Sequence, residues 1–188
     1  NIVFRNILLT YTYPDVWKLD NVTRILKKGD KQLIKNYRVV SLIPICGKFL
    51  ETIIFNNPYR YVNVNNLITK NQSGFRPGDS TTNQLLYLVD EIHKAFNSTE
   101  SFEVRAVFLD ISKAFDSVNH QILLKKLSCY GVRGLSLKLM LSYLSDRKQF
   151  TLVNDHNSSC LPTSCGVPQG SVLGPYLFSA FINDLPDI

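Results

Sequence analysis

Long apolar runs are missing from this chain: the longest is the five residues from Leu85 to Val89, far short of a bilayer span. There is no basic-then-apolar leader at the N-terminus, no internal repeat and no flexible stretch of Gly and Ser. Cysteine is sparse and unpatterned. Cys46 and Cys129 stand alone, and the Cys160/Cys165 spacing lacks the second pair that a zinc site needs. His93, His120 and His156 fall at no metal-ligand spacing with them or with each other. Cysteines of this kind, with no visible leader, suit a reducing, intracellular compartment, nucleus and cytoplasm being indistinguishable. What is present is enough for a core. Apolar residues make up 45% of the 188 and charged residues 19%, which excludes disorder, collagen and low complexity and favours one domain or one and a half. The chain begins at Asn1 rather than Met and stops inside a proline-containing phrase, so it reads as a piece of something longer.

Charge is uneven. Residues 1–60 hold ten Lys/Arg against four Asp/Glu, residues 61–120 five against seven, and residues 121–188 six against four. The whole excess of +6 therefore sits in the first third. A basic end beside a mildly acidic middle suits a polyanion partner, although a plain solvated basic surface is the commoner meaning of such a pattern.

Along the chain, residues 14–41 read as basic and irregular, with Lys27-Lys28-Gly29-Asp30 as a turn. Residues 47–64 read as helical, with Phe49, Leu50, Ile53, Ile54 and Tyr61 at three-to-four spacing and Pro58 breaking the pattern. Asp79 or Ser80 caps a helix whose Leu85, Leu88, Val89, Ile92 and Phe96 form one apolar stripe, expected to be a core face. Residues 102–109 change period and end apolar on both sides, the pattern of a strand entering a buried sheet centre and running into Asp110. Helices are expected at 119–129 and 135–145, a hairpin over 148–165 with a turn at Asn154-Asp155, and a last helix from Pro175.

Three features can carry chemistry. Asp110, at the end of that strand, stands where phosphoryl-transfer enzymes hold a divalent metal, and Asp116 follows six residues later. An Asp after a strand is more often a helix cap, so spacing alone favours the cap. The phrase Gly166-Val-Pro-Gln-Gly-Ser-Val-Leu-Gly-Pro175 places three glycines and two prolines before a helix, a rigid turn whose backbone can approach a ligand or simply connect two elements. Gly74-Phe75-Arg76-Pro77-Gly78 is another tight turn, with a cation just before a helix.

The phrases Phe108-Leu-Asp-Ile-Ser-Lys-Ala-Phe-Asp116 and Gly166–Pro175 resemble two sequence blocks of reverse transcriptases. Asn36-Tyr-Arg-Val-Val-Ser-Leu42, Gln72-Ser-Gly-Phe-Arg-Pro-Gly-Asp-Ser-Thr81 and Asn183-Asp-Leu-Pro186 extend the resemblance, in family order, over nearly the whole chain. The set is similar to the polymerase of non-LTR (LINE-type) retrotransposons. The resemblance implies an α+β right-hand polymerase fold: an N-terminal extension and fingers over 1–100, and a partial palm over 101–188 with a fingers-type hairpin near 148–165. It implies that Asp110 binds a catalytic metal, Mg2+ or alternatively Mn2+, and that Phe115 excludes a ribose 2′-hydroxyl. Gln169 and Gly170 would line the incoming nucleotide, Arg38 and Lys48 would neutralise its triphosphate, and Arg76 and Ser80 would touch template or backbone. Asp116 carries no implied chemistry, and a structural hydrogen bond is its expected role.

Departures stand beside the matches. Val39 replaces the family's usual Pro, Arg24 stands where a Pro is typical, and Asn57-Pro58 interrupts a helix. The family's next block, an aromatic-Ala-Asp-Asp turn with two more metal-binding carboxylates, is not within the 188 residues. The implied partners are an RNA template, a DNA primer and deoxynucleoside triphosphates, with no membrane and no indication of oligomeric state. The expectation is a fragment of an RNA-directed DNA polymerase, inactive as it stands. The alternative is a non-catalytic nucleic-acid-binding remnant of a decayed retroelement.

Overall fold

The computed structural model describes residues 2–98, 103–153 and 155–187. Strands β1 (Leu19–Leu26) and β2 (Tyr37–Leu42) form an antiparallel hairpin, with Asn21 opposite Leu42 and Leu26 opposite Tyr37. The irregular reading of 14–41 is thus corrected. Its cause is chemical: the buried positions of β1 are Asp20 and Val22, so a carboxylate occupies half of the inward face and hides the apolar alternation. The chain bends at Lys28 and Gly29 as expected, and the Lys27 amide closes the loop on the Asn36 carbonyl at 2.8 Å.

Strand β3 (Arg147–Val153) joins β1 in parallel, with Asp20 opposite Gln149, and pairs antiparallel with β4 (His156–Asn157) and β5 (Leu161–Thr163). The hairpin expected over 148–165 is present; Asp155 turns it with φ +61°, and Asn154 lies outside the described residues. Segments 1–100 and 101–188 therefore share one mixed sheet.

Helices α1 (Ile2–Thr10), α2 (Ile45–Val64), α4 (His120–Cys129), α5 (Gly134–Leu144) and α6 (Leu173–Ile182) build the core, with Ile7, Leu50, Ile54, Leu123, Leu127, Met140, Leu144, Leu173 and Leu177 all buried. Helix α6 lies at its centre and is buried on almost every side. Two sequence expectations are corrected in these helices. Pro58 does not end α2: the helix continues through it, held by buried Leu50, Ile54 and Val62 and by Phe55 and Tyr59 stacked 4.7 Å apart across the proline. Pro175 is the third rather than the first residue of α6; first-turn amides lack intrahelical partners, so a proline there loses nothing.

Two apolar patterns are not covered among the described residues. Helix α3 (Thr81–Asn97) is capped by Ser80, whose hydroxyl accepts the Asn83 amide at 3.1 Å. Its stripe, expected to be core, is open: Leu85 is 61% and Phe96 59% exposed, and no residue of the helix is buried. Residues 103–111 form no strand, and Phe108 and Leu109 are more than four-fifths exposed. An apolar pattern states that a face can gain by burial, about 25 cal/mol per Å2, but not which surface will cover it. No described strand pairs with 103–111.

A buried polar group crosses the core. Glu51 is fully buried on α2; its carboxylate accepts the Val172 and Leu173 amides at 2.6 and 3.3 Å and the Tyr143 hydroxyl at 3.2 Å. Burial raises its pKa above the usual 4.5, while the amide and hydroxyl donors pull it back. The folded chain then holds this proton more tightly than the unfolded chain. The group's stabilising contribution is largest below the ordinary carboxylate pKa and falls as pH rises through the window up to the raised value. Glu51→Gln removes that titration, so the melting-temperature difference between wild type and variant should shift in the variant's favour as pH rises through this window. A constant difference across it would contradict the assignment.

Candidate functional site

The two chemistry-bearing phrases meet. The turn over 112–117 is tightened by Lys113 in the left-handed region at φ +51° and by the Asp116 amide bonding the Lys113 carbonyl at 2.8 Å. The glycine-containing loop lies against it: the Val167 amide donates to the Phe115 carbonyl at 2.8 Å and the Gly166 amide to the Val118 carbonyl at 2.7 Å. The Gly166 carbonyl in turn lies 2.7 Å from His120 Nε2.

Gln169 is anchored twice. Its side-chain Nε2 donates to Asp116 Oδ1 at 3.0 Å, and its carbonyl accepts the Ser41 amide of β2 at 2.8 Å. These bonds set it at the wall of an open cleft of about 420 Å3 between the sheet and the loops, lined also by Ser41, Lys113, Asp116, Arg147 and Gln149. The cleft is concave and mixed in character: Lys113 and several amide and hydroxyl groups stand beside the carboxylates of Asp20 and Asp116 and a larger apolar share, and such mixed concave surfaces are where ligands bind.

Close backbone approach explains the glycines. Gly166 has φ +88°, and a Cβ there would stand 2.9 Å from Asp116 Cα and 3.1 Å from the Phe115 carbonyl oxygen. Gly170 has φ +108°, and its Cβ would stand 3.0 Å from the Ser41 carbonyl oxygen. Gly166→Ala combines left-handed strain with a backbone clash and should cost about 2 kcal/mol or more, lowering the melting temperature by roughly 4–8 °C. A thermal melt within error of wild type would contradict this docking.

The structure gathers some of the sequence candidates and separates others. Gln169, Gly170 and the Asp116 turn come together, and Asp116 makes the structural hydrogen bond expected of it. Phe115 is half-buried beneath the loop; its ring stacks on Phe178 at 5.0 Å and meets Phe75 edge-on at 5.8 Å. Asp110 lies on the exposed stretch 103–111. Arg38 is exposed on β2 and is not in the cleft lining, whereas its neighbour Val39 is, as strand alternation requires. Lys48 is exposed on α2. The Arg76 guanidinium braces its own turn through the Thr69 and Gln72 carbonyls, and Ser80 is engaged as the α3 cap.

Among the described residues no three His, Cys, Asp or Glu side chains are grouped closely enough to hold an ion, so Asp110 does not make a metal centre with its present neighbours.

Residues not anticipated from the sequence are Glu51, Asp20, Arg147 and the cleft lysine Lys113. Glu51 had a signal: it falls between Gly47, Leu50 and Ile54, all on the buried face of α2.

Comparison with known proteins decides the family. A model of the reverse transcriptase (RNA-dependent DNA polymerase) family matches residues 25–188. The chain belongs to the reverse transcriptase family. It is similar to the RNA-directed DNA polymerase from mobile element jockey of Drosophila melanogaster, 37% identical over 186 residues that cover 98% of this chain and 20% of that protein. The jockey polymerase of Drosophila funebris is 36% identical over 99% of this chain and 20% of its own length. The Pol polyprotein from retrotransposable element R2 of Popillia japonica is 26% identical over 95% of this chain and 24% of its own length. These relatives place the chain among reverse transcriptase domains of LINE-type elements, and it spans about a fifth of the length of the jockey relatives. As a reverse transcriptase domain it has the mixed α/β architecture described above. Among its described residues no helix is long and apolar enough to cross a membrane.

Proposed function

We propose that the cleft receives a deoxynucleoside triphosphate opposite a templating RNA base, within an RNA-directed DNA polymerase. The observation that carries this is the double anchoring of Gln169, which fixes one polar side chain and one backbone segment at the wall of a cleft bearing Lys113. With Nε2 donating to Asp116 and the backbone carbonyl held by Ser41, the Gln169 side-chain oxygen Oε1 is the acceptor offered to a ligand. Gly170, the next residue, lets the loop lie against the Ser41 carbonyl without a Cβ in the way, and is assigned to the nucleotide together with Gln169. Arg38 and Lys48 are assigned to the triphosphate, Arg76 and Ser80 to template or backbone, and Phe115 to discrimination at the sugar. In this reading residues 1–100, with β1 and β2, are the N-terminal extension and fingers, and residues 101–188 are a partial palm carrying a fingers-type hairpin in β3–β5.

The reaction served is attack of a primer 3′-hydroxyl on the α-phosphate with release of pyrophosphate. Asp110 is proposed as one carboxylate ligand for Mg2+ or Mn2+, which when bound would stabilise charge on the reacting oxygens. With one such carboxylate, the 188-residue chain binds and orients but does not extend a primer on an RNA template. Incorporation by this chain would overturn that count. The reading itself is tested by equilibrium dialysis with radiolabelled dTTP: Gln169→Ala should weaken retention about tenfold, the size of one lost hydrogen bond from a ligand. Equal retention by both would remove the cleft from the site.

RNA binding is proposed to be electrostatic and to come from the first sixty residues. Lys27, Lys28, Lys31 and Lys35 are all exposed around the β1–β2 loop. Affinity should fall steeply with salt as counterions are released, and replacing these four lysines with Gln should flatten the slope of log K against log salt by up to roughly 3 units. An unchanged slope places the surface elsewhere.

A further inference from the structure

We propose that Glu51 is a positioning residue for the nucleotide-facing loop: from α2 it holds the first amides of α6 and thereby sets where Gln169 stands at the cleft wall. The inference rests on the nucleotide reading of the cleft for its consequence, but not for its geometry.

A fully buried carboxylate is costly unless each lone pair is matched, and an apolar or amide side chain would close the same face of α2 more cheaply. Its hydrogen bonds indicate what it is kept for. One oxygen takes both the Val172 and the Leu173 amide, and the other takes the Tyr143 hydroxyl. The opening amides of a helix have no partner within it, and the residue before α6, Val172, offers no side-chain cap. Glu51 supplies that cap from 121 residues away.

The anchor is transmitted upstream over a short, rigid path. Ser171 Oγ accepts the Gly174 amide at 2.8 Å and donates to the Pro168 carbonyl at 2.8 Å, locking the start of α6 to the residue before Gln169. Tyr143 is itself held, because Arg147 donates to its carbonyl at 3.2 Å and lies 5.0 Å over its ring, and Arg147 lines the cleft. Loop and cleft wall therefore meet at one carboxylate.

The test separates reach from charge. Glu51→Gln keeps the length: its carbonyl oxygen can take both amides while its amide nitrogen donates to the Tyr143 oxygen. Glu51→Asp keeps the charge but is one methylene short. Native-state hydrogen exchange is followed for residues 166–173 against α4 and α5 in the 188-residue chain, alongside equilibrium dialysis with radiolabelled dTTP. Glu51→Asp should speed exchange of the loop about tenfold with α4 and α5 unchanged, and weaken dTTP retention about tenfold. Glu51→Gln should restore both to within about twofold. Should Glu51→Asp be too unstable to measure, Tyr143→Phe, which removes only the hydroxyl bonded to Glu51, should speed loop exchange in the same selective way.

The proposal is overturned if loop exchange in Glu51→Asp or, where that chain fails, Tyr143→Phe matches wild type. It is also overturned if Glu51→Gln is as loose as Glu51→Asp, or if the loop loosens while dTTP retention stays at the wild-type level. If wild type itself retains no dTTP, the nucleotide reading fails, and the exchange arm alone then decides whether Glu51 positions the loop.

Discussion

Replacing Asp20 with Ala is expected to destabilise the chain by about 3–5 kcal/mol, a fall in melting temperature on the order of 10 °C for a chain of this length. Asp20 and Arg147 are 4% and 1% exposed, and their side chains meet through bonds of 2.7, 3.0 and 3.3 Å. Burial holds the Asp20 carboxyl above its ordinary pKa of 3.8 even with the guanidinium beside it. At this carboxyl desolvation outweighs attraction, whereas at Arg147 burial is outweighed by the surrounding Tyr143 and Asp20; buried pairs of this kind are in general a weak source of net stability. This pair is nevertheless dangerous to break. Without Asp20 the guanidinium stays buried, left with the Tyr143 carbonyl and ring and the neighbouring Tyr13 phenol, none of which carries a compensating charge. Replacing both residues together, Asp20→Leu with Arg147→Met, should cost far less than Asp20→Ala alone, because no charge is then stranded. Thermal and denaturant melts of the two variants check this. A single variant within about 1 kcal/mol of wild type, or a double variant worse than the single, would contradict the account. The pair also joins β1 to β3, so its loss should loosen the sheet that forms one wall of the cleft.

Phe115→Val is expected to change sugar selection more than it changes stability. In a polymerase that carries this segment together with a full set of metal-binding carboxylates, removing the ring should raise ribonucleotide kcat/KM relative to deoxynucleotide kcat/KM by about tenfold or more. A rigid ring excludes the 2′-hydroxyl by a clash worth at least about 1.4 kcal/mol. The structure supplies the competing explanation: the ring packs on Phe178 and Phe75 and is half-buried. Loss of that packing should cost about 1–3 kcal/mol and depress both substrates together. Matched kinetics for the two nucleotides, beside melts of both proteins, separate these effects. An unchanged ratio with a lower melting temperature would leave Phe115 a packing residue and remove it from the sugar site.

Helix α3 and residues 103–111 mark where sequence reading overreaches. Leu85, Leu88, Val89, Ile92 and Phe96 do lie on a helix, as their spacing says, and of the two cap candidates, Asp79 and Ser80, Ser80 is the one used. Burial of the stripe was inferred from the same spacing and does not hold among the described residues, because periodicity describes one surface and burial needs two. The β1–β2 hairpin shows the reverse failure: a strand was hidden because its inward face carries Asp20, whose partner lies far along the chain.

Sequence alone determined what is local or covalent in this protein. The Ser80 cap needs only an amide three residues on, and the glycines of 166–175 are required wherever the backbone turns left-handed or comes close to another segment. The ordered reverse transcriptase phrases are likewise written in the chain itself, and the family match over 25–188 agrees with them. Tertiary structure alone decided that Asp116 would hold Gln169 from 53 residues away, that Glu51 would cap α6 from 121, and that Asp20 would meet Arg147 across 127. The reason is physical. A buried carboxylate is tolerated only where donors converge on it, and those donors arrive from helices and strands whose meeting is set by the packing of apolar faces, which no local spacing encodes.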